Sequence, residues 1–230
     1  MSDRIEQAEV AAGLAEVRSR IDAAAKAAGR RPASVTLIAV GKAQPPGRIE
    51  AALAAGQRVF GENYVQEAAG RWPGLRPRFP DVELHMIGAL QSNKAREAVA
   101  LFDVVQTIDR PRLAEAIARE AQRQGRSPRL MLQVNTGAEP QKAGIGAEGL
   151  ADLVTFCRKL DLAVDGLMAI PPADQDVGFH TALLVELARR NGLAAVSCGM
   201  SADYEAAIRF GATHVRVGTA IFGARAPRTA

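Results

Sequence analysis

The sequence predicts an α/β fold, a closed (β/α)8 TIM-type barrel with one extra helix at its N-terminus. Three observations carry that reading. Short β-branched or apolar runs recur eight times, at 35–40, 58–60, 84–87, 103–108, 130–134, 164–168, 195–198 and 215–217. Ala- and Leu-rich stretches with helical spacing lie between them, at 48–55, 64–69, 94–100, 112–122, 147–160, 178–190 and 203–210. Alternation of this kind requires parallel pairing with crossovers, and eight units in about 200 residues match a trimmed barrel, with an open doubly wound sheet as the other solution. Ahead of the first run, residues 4–29 read as a capped amphipathic helix. Its apolar positions are Ile5, Ala8, Ala12, Val17 and Ile21, with Ser2 and Asp3 before them and Gly29 after. No linker, low-complexity segment or shift in composition divides the chain, so one domain over 1–230 is expected, with 1–30 packed on the barrel.

Composition removes several classes of function. The 230 residues are 48% hydrophobic and 23% charged, enough to bury a sizeable core, which excludes disorder and collagen-like repeats. The 29 Lys and Arg stand against 25 Asp and Glu, and the basic residues are scattered without interleaved aromatics, so no nucleic-acid partner is expected. Cys157 and Cys198 form no C-x-x-C and no disulfide framework, which fits a reducing compartment. The first ten residues carry acids where a secretion signal needs a basic patch, and no apolar run is long enough to span a bilayer. A cytoplasmic chain with no membrane partner is the expectation.

In a parallel α/β sheet the chemistry gathers at the carboxyl ends of the strands. The residues found there are mostly small or donate hydrogen bonds: Gly41-Lys42, Gly61-Glu62-Asn63, Gly88 with Gln91-Ser92-Asn93-Lys94, Asp109, Asn135-Thr136, Ala169-Ile170-Pro171, Gly199-Met200-Ser201 and Gly218-Thr219. Few are carboxylates, which disfavours a paired-carboxylate hydrolase and a carboxylate-bound metal. Ser201 precedes a helix and Gly218-Thr219 follows the last strand, the corner where barrels commonly hold a phosphate. The alternative is that Ser201 is only a helix cap. Only five of the cations are lysines, and Lys42 follows the best-defined strand. There it can serve as an amine nucleophile, or as an ion-pair partner for a phosphate or carboxylate. Arg216 lies inside the eighth run, pointing either to water or into the barrel. If inward, it can only donate, so a pyridine nitrogen opposite it would be held unprotonated. His180 reads as surface helix, and His85 as a core histidine or a contact at the mouth. Gly144 to Gly149 matches G-x-G-x-x-G without the strand that must run into it, and no P-loop is present.

Together these residues resemble the pyridoxal 5'-phosphate (PLP) homeostasis protein family. The blocks are Ile38-Ala-Val-Gly-Lys42, Phe60-Gly-Glu-Asn-Tyr-Val-Gln-Glu67, His85-Met-Ile-Gly-Ala-Leu-Gln-Ser-Asn-Lys94, Gln133-Val-Asn-Thr-Gly-Ala-Glu139 with Lys142, Gly166-Leu-Met-Ala-Ile-Pro171, Gly199-Met-Ser201 and Arg216-Val-Gly-Thr-Ala-Ile-Phe-Gly223. The resemblance implies a monomeric barrel similar to the N-terminal domain of alanine racemase, with PLP as cofactor. Lys42 then takes the position of the Schiff-base lysine and Arg216 that of the arginine facing the pyridine nitrogen. Met200, Ser201, Gly218 and Thr219 fall on the phosphate-binding side, and Asn63 and His85 near the ring. Other B6 vitamers and apo PLP enzymes are implied as further partners. The family commonly carries Ser-Lys-Thr around the lysine, where this chain has Gly41 and Ala43, and commonly a Ser where this chain has Cys198.

The implied role is a PLP carrier or regulator without established turnover. PLP catalysis needs the ring as electron sink and a second acid or base opposite the lysine. An unprotonated pyridine nitrogen weakens the sink, and neither Tyr64 nor Tyr204 obviously supplies the second group. Two other readings stay open: a PLP-dependent racemase pairing Lys42 with His85 or Tyr64, and a barrel enzyme acting on a phosphorylated metabolite without PLP.

Overall fold

A computed structural model describes residues 2–223 as a closed barrel of eight parallel strands in sequential order. The strands are β1 (Thr36–Val40), β2 (Val59–Glu62), β3 (Glu83–Met86), β4 (Val104–Ile108), β5 (Arg129–Gln133), β6 (Val164–Met168), β7 (Ala195–Met200) and β8 (His214–Val217). Closure is made by β8 pairing with β1, with Ile38 opposite Arg216. Each strand lies within two residues of its expected place. The helices are α1 (Ser2–Ala27), α2 (Pro46–Ala54), α3 (Val65–Leu75), α4 (Ala95–Leu101), α5 (Pro111–Gln124), α6 (Leu150–Lys159), α7 (Val177–Arg190), α8 (Tyr204–Arg209) and α9 (Thr219–Phe222). The last follows β8 unannounced by the sequence pattern, and residues 224–230 of the expected tail lie outside the described residues.

Period-two alternation sorts each strand into two faces. On β8, Val215 and Val217 join the helix-facing core while Arg216 turns inward to bond Ser197. The outer layer packs Phe60, Leu84, Val105, Leu132, Leu167 and Val196 against the helices. The interior is more polar, holding His85, Gln106, Gln133, Ser197 and Arg216.

Three sequence expectations need correction. The buried stripe of α1 is Val10, Leu14, Val17, Ile21 and Ala24, spaced by three and four, whereas Ile5, Ala8 and Ala12 are exposed. The helix packs this stripe on α2, α8 and α9, so the bulkier set wins the buried phase. The third helix does not stop at residue 69. It runs to Leu75 through Pro73 because Trp72 is fully buried against Phe60, with ring centroids 5.0 Å apart, and that burial outweighs the local cost of proline. His180 is not on the surface: the phase of α7 buries it with Val177, Thr181 and Leu184, and its Nε2 meets Gln175 Oε1 at 2.9 Å.

At the amino end of the barrel, His214 bonds Thr213 through Nδ1 at 2.8 Å and lies 6.3 Å from the His85 ring. Burial, followed by the effect of His85, pushes its imidazole down to about 4. The unfolded chain takes up this proton near its ordinary value and the native chain only near 4, so native stability falls as pH drops through that window. The loss amounts to up to about 3 kcal/mol. Urea-denaturation midpoints compared at pH 7 and pH 5 should show a decline in the wild-type protein that His214→Gln makes shallower.

Candidate functional site

The carboxyl ends of β1, β2, β7 and β8 open on a cavity of about 380 Å³. Seven of the residues singled out in the sequence line it: Lys42, Asn63, Met200, Ser201, Arg216, Gly218 and Thr219. They are joined by Val40, Gln44, Ile87, Ile170 and Ala202. A larger groove of about 700 Å³ lies between α5 and the connection leading into β6. It is lined by Glu115, Arg119, Gln122, Arg126, Ser127 and Asp161 together with apolar neighbours, and holds none of the site residues expected from the sequence.

Lys42 sits in a tight turn after β1, closed by Gln44 N–H donating to Gly41 O at 3.1 Å. Ala43 takes a positive φ of 55°, a strained setting for a residue with a Cβ. The turn is fastened from behind by Arg71 of α3, which donates to Gly41 O at 3.1 Å and to Gln44 O at 2.8 Å. The same guanidinium meets Glu62 Oε1 at 2.5 Å, and Trp72 Nε1 donates to that oxygen at 3.0 Å. Glu62 is fully buried. Burial raises its carboxyl above the usual range against the pull of Arg71, and its Oε2 has no partner among the described residues. A Cβ on Gly41 would stand 3.1 Å from both Arg71 Nη1 and Glu62 Oε1, so the glycine at this point leaves room for the clamp. The Lys42 ammonium lies 5.5 Å from the centre of the half-exposed Tyr64 ring.

Asn63 reaches the cavity from the end of β2. Its backbone presses on Gly88, where a Cβ would lie 2.2 Å from Asn63 O, so glycine is required for the β2 and β3 ends to approach. Ser201 does not cap a helix, contrary to one sequence reading, since α8 begins three residues later. Its Oγ instead accepts from Gly218 N at 3.2 Å, and Asp203 Oδ1 accepts from Met200 N at 2.6 Å. These bonds tie the β7 and β8 ends into one polar corner of the cavity.

Arg216 faces inward and is 4% exposed. Its Nη1 donates to Ser197 Oγ at 2.7 Å and its Nη2 to Ala169 O at 2.8 Å. Among the described residues no carboxylate pairs with it, and burial lowers its pKa from the ordinary arginine value. His85 is not among the cavity-lining residues. It is fully buried, with Nδ1 at 2.7 Å from Gln106 Nε2 and Nε2 at 2.6 Å from Glu83 Oε1. Cys198 belongs to the helix-facing core, where burial pushes its thiol up, so it packs rather than faces the cavity. Lys142 meets Glu139 at 2.6 Å and Pro171 O at 3.1 Å, outside the cavity lining. Sequence reading missed the second layer: Arg71, Gln106 and Ser197. The available signal was a polar residue inside an otherwise apolar strand, at Gln106 and Ser197.

A closed parallel barrel with a lysine, an inward arginine and a polar corner at one mouth is the class of protein that the fold and cavity define, and known proteins share its sequence and its fold. The family described as alanine racemase, N-terminal domain, matches residues 13–226. The pyridoxal phosphate homeostasis protein of Pseudomonas aeruginosa is 44% identical over 94% of this chain and 96% of its own. That of Escherichia coli K12 is 42% identical over 94% and 97%. The structure of PipY from Synechococcus elongatus with PLP bound superposes with a TM-score of 0.80 at 40% identity, covering 93% of this chain and 100% of the other. Alanine racemase from Bartonella henselae, 14% identical with a TM-score of 0.72, shares the fold. The chain belongs to the pyridoxal phosphate homeostasis protein family, whose barrel is that of the alanine racemase N-terminal domain.

Removing Arg71 should test the clamp. Arg71→Met leaves Glu62 buried without its cation and should cost about 3–5 kcal/mol in urea denaturation. The double variant Arg71→Met/Glu62→Gln should lose distinctly less.

Proposed function

We propose that this protein binds PLP at the barrel mouth and acts in the homeostasis of that cofactor as a carrier or regulator. The observation that carries this reading is the inward Arg216 guanidinium. It is buried, pairs with no carboxylate among the described residues, and lines the same cavity as the Lys42 amine. A cation in that setting asks for a neutral acceptor or an anion, and a pyridine nitrogen answers it without adding a proton. The residues fit the rest of the group. The hydroxyls of Ser201 and Thr219 suit a phosphate, while Val40, Ile87 and Ile170 give the apolar walls of a flat ring.

When bound, PLP supplies an aldehyde that condenses with an amine and a ring able to withdraw electrons. Each residue then has a task. Lys42 offers the amine, held in place by the Arg71 clamp behind its turn. Ser201, already bonded to Gly218, fixes the phosphate corner. Arg216, which can only donate, would suit an unprotonated ring nitrogen, and a ring left in that state would withdraw electrons weakly, which favours holding the cofactor over transforming amino acids. The racemase alternative loses one of its two candidate second bases, because both nitrogens of His85 are engaged inside the barrel. Tyr64 remains beside Lys42 as the group such a reading would need.

Protein incubated with PLP should show a near-visible band that borohydride bleaches, with a pyridoxyl group mapped to Lys42, and Lys42→Ala should lose both. A colourless wild-type protein that takes up no PLP overturns the reading and favours a phosphorylated metabolite. Exchange of the α-proton of an L-amino acid in deuterated water would move it to the racemase.

A further inference from the structure

Four buried polar side chains form an unbroken chain across the barrel interior, ending on a carboxylate at its amino end. Arg216 Nη1 donates to Ser197 Oγ at 2.7 Å, and Ser197 Oγ donates to Gln106 Oε1 at 2.7 Å. Gln106 Nε2 then lies 2.7 Å from His85 Nδ1, and His85 Nε2 lies 2.6 Å from Glu83 Oε1. The residues come from β8, β7, β4 and β3, so the chain crosses the barrel rather than following one strand.

The direction of every link follows from what each group can do. Arginine only donates, so Ser197 accepts from it and turns its own hydrogen to the Gln106 carbonyl. That leaves the Gln106 amide nitrogen facing His85, whose Nδ1 must accept. The histidine proton then sits on Nε2 and is given to Glu83. Arg129 binds the other Glu83 oxygen, and the bond from His85 holds the Glu83 carboxyl below its usual range. All the dipoles are aligned with their negative ends toward the arginine.

We infer that His85 is a positioning residue for the cofactor, acting through Gln106 and Ser197 to hold the Arg216 guanidinium in the orientation that donates to the ring nitrogen. This rests on the PLP reading of the cavity and goes beyond it, since it assigns a role to three side chains that do not line the cavity. Without the chain, Arg216 keeps only the Ala169 carbonyl as a fixed acceptor and is free to turn.

The test has two arms. In protein free of PLP and labelled with nitrogen-15 in its histidines, His85 should appear as a single tautomer with Nε2 protonated and Nδ1 bare. A protonated Nδ1 overturns the inference. In PLP-loaded protein, His85→Leu and Gln106→Leu should still be labelled at Lys42 by borohydride, yet release PLP about tenfold faster and with a displaced absorption band. His85→Asn keeps an acceptor for Gln106 and should stay within about twofold of wild type. A packing role predicts the opposite order, because leucine fills the volume of the imidazole better than asparagine does. Should His85→Leu fail to fold, Ser197→Ala, which cuts the link next to the arginine, carries the same expectation. Wild-type release and band position in these variants overturn the relay alone, with Lys42 labelling intact. A wild-type protein that takes up no PLP overturns the cofactor reading and the relay with it.

Discussion

Burying a guanidinium inside a parallel barrel, with no carboxylate beside it among the described residues, is the constraint around which the interior is arranged. An unpaired charge in so dry a place is costly, and the strands meet that cost with neutral acceptors: the Ser197 hydroxyl and the Ala169 carbonyl. A carboxylate at the same place would neutralise Arg216 and remove its appetite for a ligand. Polar residues therefore replace the branched aliphatics that fill most barrel interiors, at His85, Gln106, Gln133 and Ser197.

The amine on the other side of the cavity is held by a different device. Lys42 occupies a four-residue turn strained at Ala43, and a turn of that kind keeps its shape only when its neighbours over-determine it. Arg71 does so by bonding two of its carbonyls, and Glu62 and Trp72 in turn hold Arg71. The burial of Trp72 that carries α3 past its proline thus also sets the position of the lysine. Fold and site share one set of contacts, which is why the helix-breaking signals at Gly70 and Pro73 do not prevail.

Much of the architecture is legible in the chain. Eight apolar runs alternating with helical stretches specify parallel pairing, and reading the residue after each run finds Lys42, Asn63, Ser201, Gly218 and Thr219, because strand ends of a parallel barrel converge on one mouth. The motif blocks that mark the family are local and survive in order. Less legible were phases that two competing sets of residues can satisfy. In α1, Ile5, Ala8 and Ala12 read as the buried stripe as readily as Val10 and Leu14 do, and His180 sits on α7, whose packing against β6, β7 and α8 decides which of its faces is buried.

The sequence by itself determined the fold class, the family and the residues of the mouth, since periodicity, strand-end position and motif order are all local properties. Only the tertiary structure decided which way Arg216 points, that His85 lies buried behind the cavity rather than in its lining, and that Arg71 stands at the back of the lysine turn. Those facts depend on contacts between strands and helices that are apart in the chain. No spacing along a single sequence encodes such a contact, because it arises only when the barrel closes and its inner faces meet.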